Sequence, residues 1–457
     1  MFDLGELEKQ IEDRIRTKQY AELRDLLSPL EAADIAALCE DLPEERIPIV
    51  FRLLPKELAA EVFVELDSDQ QELLIRGFSN TELKEVLDEL YLDDTVDIVE
   101  EMPAGVVKRI LQHSDPEMRK GINEILKYPE DSAGSIMTTE FVDLQTDMTV
   151  EAALKRIRRT GLDKETINVC YCLDEGRHLL GVLTIRSLLL AEDDDVIADI
   201  MDRHFISVQT LDDQEEVARA LSRYDFLALP VVDKEDRLVG IVTVDDAIDV
   251  LQEETTEDIE KMAAILPSDK PYLKTGIPET FRSRIPWLLL LMVSATFTGQ
   301  IIAGFESALA STAILTAYIP MLMDTGGNCG SQASVSVIRG ISLNEIEFSD
   351  LGRVIWKEVR VALACGAALA VCNFAKLMVV DRMIFHNPSV TVGVATVICL
   401  TMVCTVLCAK LVGCTLPMLA KRVGFDPAVM ASPFITTIVD AISLLIYFRI
   451  ATVVLGI

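Results

Sequence analysis

Beyond Thr280 the chain holds five stretches too long and too apolar for a water-soluble fold. They lie at 285–305, 309–338, 354–380, 390–419 and 428–454. Each can cross a hydrocarbon layer of about 30 Å at about 1.5 Å per helical residue. Charge is segregated the same way. The chain carries 42 Lys and Arg against 74 Asp and Glu, net −32; residues 281–457 hold 12 basic and 9 acidic, net +3, which leaves −35 on the first 280. The sequence therefore predicts an intensely acidic soluble region joined to an all-α transmembrane bundle of five helices. Such acidity excludes a nucleic-acid binder that works through a basic footprint.

Flanking charges orient the bundle. With the acidic region in the cytoplasm, the inner side carries Arg282, Arg284, Arg339, Arg353, Lys357, Arg360, Lys421 and Arg422, and the outer loops offer little beyond Arg382. That is a strong positive-inside bias. It predicts a multi-pass protein of the inner (plasma) membrane, with its N-terminus cytoplasmic and, after five spans, its C-terminus outside. Residues 1–16 form a charged amphipathic stretch with no apolar core, unlike a signal peptide. Seven of the ten cysteines fall in the apolar part, where they serve as small hydrophobes, and none has zinc or disulfide-framework spacing.

The few charges inside the spans define the candidate site. Asp324 lies about 24 Å into the second segment counted from Ala308, and Asp440 about 18 Å beyond Ala428, so two antiparallel helices bring both near mid-membrane. An ionisable group there costs several kcal/mol unless it faces water, an ion or a partner. The second segment also reads Asp324-Thr325-Gly326-Gly327-Asn328-Cys329-Gly330-Ser331-Gln332. Adjacent glycines predict a loosened helix with free carbonyls lining a cavity, whereas Gly326-x-x-x-Gly330 alone reads as close helix packing. Thr436, Thr437 and Ser443 surround Asp440. This all-oxygen donor set, without membrane His, favours Mg²⁺ or Ca²⁺ over Zn²⁺ or Cu⁺.

An internal repeat occupies 137–251. Phe141, Gln145, Thr146 and Glu151 recur 64 residues later as Phe205, Gln209, Thr210 and Glu215, and Gly181-Val182-Leu183-Thr184 recurs 59 residues later as Gly240-Ile241-Val242-Thr243. Each copy predicts helix, strand, strand, helix. The unit resembles a tandem cystathionine-β-synthase (CBS) pair, a regulatory module that often binds adenosine nucleotides. That likeness points to Tyr171, Thr184, Arg186, Phe226, Thr243 and Asp246 as nucleotide-binding, with Tyr171 and Phe226 stacking on the base. The second copy keeps Thr243-x-x-Asp246, while the first has Ser187 in place of the acid. Upstream, 20–125 predicts short amphipathic helices punctuated by proline in a helical superhelix. Acidic residues crowd at Asp93, Asp94, Asp97, Glu100 and Glu101, and again between Asp245 and Glu260. Two such faces repel unless divalent cations bridge them. A short helix over 259–266 then leads toward the first span.

With these motifs together, the whole chain resembles the MgtE family of magnesium transporters. The most specific stretches are Tyr128-Pro129-Glu130-Asp131-Ser132-Ala133-Gly134-Ser135-Ile136-Met137-Thr138, Pro320 through Gln332 with Gly327-Asn328, and Asp426-Pro427-Ala428 followed by Thr436-Thr437-Ile438-Val439-Asp440. The resemblance implies an N-domain (1–130), a tandem CBS pair (131–253), a connecting plug helix (254–280) and a five-helix transmembrane domain (281–457). It implies a homodimeric Mg²⁺-selective channel with no obligatory protein partner and a pore between subunits. Asp440 would bind hydrated Mg²⁺ with Gly327, Asn328, Asp324 and Thr437, and Glu358 and Asp426 would line the inner mouth. Cytosolic Mg²⁺ bound to Asp94, Asp97, Asp246, Asp249, Glu254, Glu257 and Asp258 would hold the gate shut, with ATP as a further effector at the CBS pair. Two other readings compete. A secondary transporter could exchange a divalent cation for protons at Asp324 and Asp440, though the spans show no clear inverted repeat. A membrane enzyme would need a His, Ser or Cys constellation, which the chain lacks.

Overall fold

The computed structural model describes residues 4–268, 272–305, 312–430 and 432–456. It consists of two compact units, divided between Leu251 and Gln252.

The first unit opens with ten helices, from α1 (Leu4–Thr17) to α10 (Pro116–Ile125), among them α8 (Leu92–Glu101). Proline sets where several begin. Pro55 and Pro103 precede the helices Lys56–Glu65 and Ala104–His113, and Pro116 is the first residue of α10. At a helix start the missing N–H costs nothing and φ is already suitable. Ser79 and Glu82 close a reciprocal capping box on Asn80–Leu87. Each helix buries only two to six side chains, so none is stable alone, and they share one core containing Phe51, Phe63 and Phe78.

Two copies of one α+β motif follow. The first runs β1 (Val142–Gln145), α11 (Val150–Thr160), β2 (Val169–Leu173), β3 (Leu179–Thr184), α12 (Ile185–Leu190) and α13 (Ile197–Ile200). The second runs β4 (Val208–Gln209), α14 (Gln214–Tyr224), β5 (Ala228–Val232), β6 (Leu238–Thr243) and α15 (Val244–Met262). Each copy has three strands rather than the two expected, because β1 and β4 pair in parallel with β2 and β5. At four and two residues they are too short to display an alternating pattern. The repeated glycines have a steric cause. A Cβ on Gly181 would lie 2.8 Å from the Met201 sulfur and 2.9 Å from the Asp202 carbonyl; on Gly240 it would lie 2.6 Å from the Met137 sulfur and 2.7 Å from the Thr138 carbonyl. Thr138 bridges Ile241 just as Asp202 bridges Val182.

The sequence predicts a separate helix over 259–266; instead α15 continues without a break to Met262, and the chain turns at Ala264, whose φ is 56°. No proline or glycine interrupts Val244–Met262, so nothing ends the helix earlier.

The second unit contains α16 (Ile277–Gly304), a 3₁₀ turn (Ala313–Tyr318), α17 (Ile319–Ser342), α18 (Leu351–Lys376) extended by the π-helical Leu377–Ile384, α19 (Val392–Val423) and α20 (Ser432–Leu455). Among the described residues four helical stretches are long and apolar enough to cross a membrane: Ile277–Gly304, Phe348–Ile384, Val392–Val423 and Pro427–Leu455. The second of the five expected spans is not among these four. Its first residues, 309–311, lie outside the described residues, 313–318 form the 3₁₀ turn, and α17, at 24 residues, is long enough to span but is diluted by its polar run.

α17 is also uninterrupted through Gly326-Gly327, contrary to the loosened helix expected. The glycines permit close approach instead. A Cβ at Gly326 would meet Thr405 at 2.7 Å, one at Gly330 would meet Ile435 at 2.8 Å, and one at Gly413 of α19 would overlap the Gly330 carbonyl. Small residues drive membrane helix packing because lipid supplies no hydrophobic difference between contact and separation. Gly413→Ala should therefore lower the detergent thermal-unfolding midpoint of the whole chain more than Gly299→Ala, whose added Cβ meets nothing; equal midpoints would count against the crossing.

Candidate functional site

In the membrane unit α17 presents two faces. Gly326, Gly327, Gly330, Ala333, Ser334, Val337 and Ile341 are buried, while Asp324, Asn328, Gln332, Ser336 and Arg339 are exposed at spacings of three and four residues. These form one polar stripe. The buried face packs on α19 and α20, with Gly327 against Thr436 and Gly326 against Val439 and Ser443. Asp440 follows Val439 on α20, is half-buried, and has Asp324 as the charge that acts on it. The Thr437 hydroxyl donates to the Pro433 carbonyl at 3.1 Å. The structure thus brings Asp324 and Asp440 together beside Thr436 and Ser443, with Asn328 one turn from Asp324. Gly327 sits in an intact helix, so its carbonyl belongs to the helical ladder.

The two inner-mouth candidates have lysine partners. Lys410 Nζ of α19 is 3.5 Å from Glu358 Oε2 of α18, with side-chain exposures of 7% and 12%. Lys261 Nζ lies 2.8 Å from Asp426 and 2.6 Å from Glu257. Asp426 also accepts the Ala428 N–H at 2.7 Å, and the Ser342 hydroxyl donates to Asp258 at 3.4 Å. Neither Lys410 nor Lys261 stood out in the sequence, because the chain alone does not show that each meets a carboxylate far from it in sequence. Lys410 is the second charge of a buried pair, and removing one member of such a pair leaves the other uncompensated.

In the first unit the acids gather with little cationic compensation. Asp93 and Asp94 open α8, Glu140 Oε2 accepts the Leu92 N–H at the same helix end at 3.3 Å, and the Glu165 N–H donates to the Glu140 carbonyl at 2.9 Å. Asp246 accepts from the Thr243 hydroxyl. Burial first, then the Asp246, Glu165 and Asp94 carboxylates, holds Asp93 well above the ordinary range. Burial, then Asp246, Asp245, Glu140 and Glu65, pushes Asp94 up to about 7. Burial, then Asp94, Asp246 and Asp245, pushes Glu165 up to about 8. Burial takes Asp246 to about 6 despite the Thr243 hydrogen bond. Lys164 acts on Glu140 but does not cancel its burial. One Glu165 oxygen is buried with no partner. Sequence reasoning missed Glu140 and Glu165, which are isolated in the chain and join the cluster only through the fold. Asp97 and Asp249 are exposed. Among the described residues no group of three or more His, Cys, Asp or Glu is close enough to hold a bare metal ion.

The nucleotide candidates divide. Thr184 and Phe226 line a cavity of ≈ 280 Å³ with Ser187, Asp202, His204 and Pro230. Arg186 is exposed on α12 beside Thr184. Tyr171 is corrected from a stacking residue to a core one: it is fully buried and packs edge-on against Phe141, 5.7 Å between ring centroids. Thr243 and Asp246 belong to the acidic cluster.

Comparison with known proteins places the chain. Residues 319–450 match the family described as a divalent cation transporter, 30–131 the MgtE intracellular N domain, and 133–194 and 197–253 CBS domains. The chain is 37% identical over 437 residues to the magnesium transporter MgtE of Thermus thermophilus, covering 95% of each. The chain belongs to the MgtE family. The Bacillus subtilis magnesium transporter MgtE is 32% identical across 96% of this chain and 95% of its own length. MgtE resemblance extends to solved structures: the cytosolic domain of the Mg²⁺ channel MgtE in complex with ATP, 39% identical, covers 53% of this chain and 99% of its own with a TM-score of 0.51. The soluble part of a magnesium transporter, 33% identical, covers 55% of this chain and 99% of its own, also at 0.51. The chain is thus a membrane-embedded MgtE family member with a helical N-domain, a CBS pair and a helical membrane bundle.

Two tests follow. Raised carboxylate pKa values mean the packed acidic cluster takes up protons as it forms. Its stability is fully present below the unfolded range of about 4 and is lost as pH climbs through the folded values, about 6 for Asp246, 7 for Asp94 and 8 for Glu165. In EDTA, proteolytic release of the N-domain should be faster at about pH 8 than at about pH 5.5 once protease activity is normalised, and the difference should shrink in a D94N/E165Q variant. In the bundle, Lys410→Met should cost about 3 kcal/mol of stability and Lys410→Met with Glu358→Gln much less, read by denaturant unfolding in mixed micelles.

Proposed function

We propose that this protein is a homodimeric Mg²⁺ channel of the plasma membrane, passing Mg²⁺ down its electrochemical gradient and closing when cytosolic Mg²⁺ occupies the acidic cluster. The observation that carries this reading is the pair Asp324 and Asp440 on packed helices of the membrane bundle, in a chain that covers 95% of a magnesium transporter at 37% identity. Mg²⁺ gives up its hydration shell reluctantly. Two carboxylates with Asn328 and threonine hydroxyls suit a hydrated ion better than a tight cage does. The exposed polar stripe of α17 supports a second copy as its cover, since a two-fold axis along it would surround one path with two copies of Asp324, Asn328 and Asp440. Paired with lysine, Glu358 and Asp426 shape the inner mouth by neutralising Lys410 and Lys261; a cation reaching them must displace an ammonium group.

For the gate, Asp93, Asp94, Glu140, Glu165, Asp245 and Asp246 set several carboxylates against one another with only Lys164 acting on Glu140 to offset them. Hydrated Mg²⁺ between these groups relieves the repulsion and favours the packed state, and only such differential binding shifts a gating equilibrium. Glu254, Glu257 and Asp258 extend the acidic surface along α15 and its continuation. Adenine nucleotide in the Thr184 and Phe226 cavity, with Arg186 at its edge and Ser187 where an acid would grip a ribose, is the proposed second effector. The N-terminal region is proposed to be cytoplasmic, on the positive-inside charge pattern.

Asp440→Ala should abolish Mg²⁺ uptake into proteoliposomes while insertion and the dimer peak persist; undiminished uptake would refute the pore assignment. Bilayer recordings separate the mechanisms. Unitary openings support the channel, while Mg²⁺ flux that requires an opposing proton gradient and shows no openings supports exchange at Asp324 and Asp440. In a D93N/D94N/E165Q variant, half-inhibition by Mg²⁺ on the N-domain side should move to about tenfold higher concentration or more.

A further inference from the structure

At one end of the membrane bundle the last turn of α17, the connection from α17 to α18 and the last turn of α19 enclose a cavity of ≈ 310 Å³. This is the size of a small-ligand pocket. Its wall is mostly apolar, built from Ile341, Ile346, Phe348 and Met418, with Asn344 and Glu347 adding polar groups. Two cations stand at its edge: Lys421 and Arg422, both in the terminal turn of the 32-residue apolar α19.

Lys421 and Arg422 set two positive charges against the single carboxylate of the lining, Glu347. The Arg422 guanidinium lies 4.1 Å from the centroid of the Phe348 ring, which holds it beside the opening. Among the described residues neither Lys421 nor Arg422 has a carboxylate within ion-pair distance. The acids nearby are already used. Glu347 is engaged in a reciprocal capping box with Asp350, and Asp350 also pairs with Arg353 at 2.9 Å. Next to the cations, Leu419 and Val423 on α19 and Leu343 just past α17 are 44%, 71% and 54% exposed. Two unpaired cations, an apolar hollow and an apolar path leading away from it form an amphipathic binding surface at the depth where a spanning helix ends.

We propose that this cleft binds an anionic phospholipid, its phosphate held by Lys421 and Arg422 and its acyl chains laid along Leu419, Val423 and Leu343. The inference rests on α19 crossing a bilayer, which places the cations at headgroup level, where basic pockets between helices select acidic lipids. A soluble phosphate compound shares the charge chemistry but has no use for the apolar hollow and path. The lipid joins α17, which carries Asp324, to α19, which carries Lys410, so its occupancy bears on the packing of the helices that hold the candidate pore.

The test uses the full chain purified in a neutral detergent. Native mass spectrometry should show phosphatidylglycerol adducts that persist at collision energies that strip phosphatidylcholine, and phosphatidylglycerol should be preferred by about tenfold. K421Q/R422Q should lose the preference, while R353Q/K357Q, which removes two cations elsewhere on the same side, should keep it. In the unmodified chain, a photoactivatable phosphatidylglycerol should crosslink preferentially within 341–348 and 418–425, so the proposal remains exposed to test if the double variant fails to fold. Equal retention of both lipids, a preference that survives K421Q/R422Q or falls equally in R353Q/K357Q, or crosslinks without enrichment would overturn it. Thermal stabilisation by inorganic phosphate or glycerol 3-phosphate equal to that by phosphatidylglycerol would also overturn it, because the ligand would then be a soluble phosphate.

Discussion

A carboxylate inside a bilayer must have something to face, and the membrane unit is arranged around that requirement. α17 meets it by dividing its surface. Glycines on one side let its backbone lie directly against α19 and α20, and that closeness brings Asp324 within electrostatic reach of Asp440. Bulkier residues on the buried side would separate the helices and part the two acids. The polar stripe on the other side is costly against lipid and is useful only where it borders water, an ion or another copy of the same stripe.

The two units treat their acids in opposite ways. In the membrane bundle and the adjoining helix, Glu358 and Asp426 are matched by Lys410 and Lys261, so their charge is balanced within the chain. In the first unit Asp93, Asp94, Glu140, Glu165 and Asp246 are drawn together, and Lys164, which acts on Glu140, does not offset their burial and mutual repulsion. The first arrangement is largely indifferent to divalent cations and protons. The second changes its energy whenever its carboxylates gain or lose protons.

Architecture was legible in the sequence because it is written in long-range contrasts: acidic against apolar regions, prolines spaced along short helices, and a repeat matched at Phe141 and Phe205, Gly181 and Gly240. What escaped was set by tertiary contact. β1 and β4 are too short to carry an alternating pattern and exist by pairing with β2 and β5. Tyr171 looked available for stacking on a base because residue type cannot reveal that the two sheets bury it between them. Glu140 and Glu165 are unremarkable in the chain and become partners through a backbone hydrogen bond. Gly326 and Gly327 signalled an opened helix when read with Asn328, but the neighbouring helices need their lack of side chains. Lys410 drew no attention because its partner lies on another helix.

The contact between Gly330 and Gly413 carries a mechanical consequence. With a carbonyl oxygen standing where a side chain would otherwise be, the two backbones leave no slack, and α17 and α19 cannot slide along one another without colliding. The crossing works as a fulcrum. Relative movements of α17 and α19 are then confined to rocking about this point, whereas α16, which has no buried residue, is less restrained.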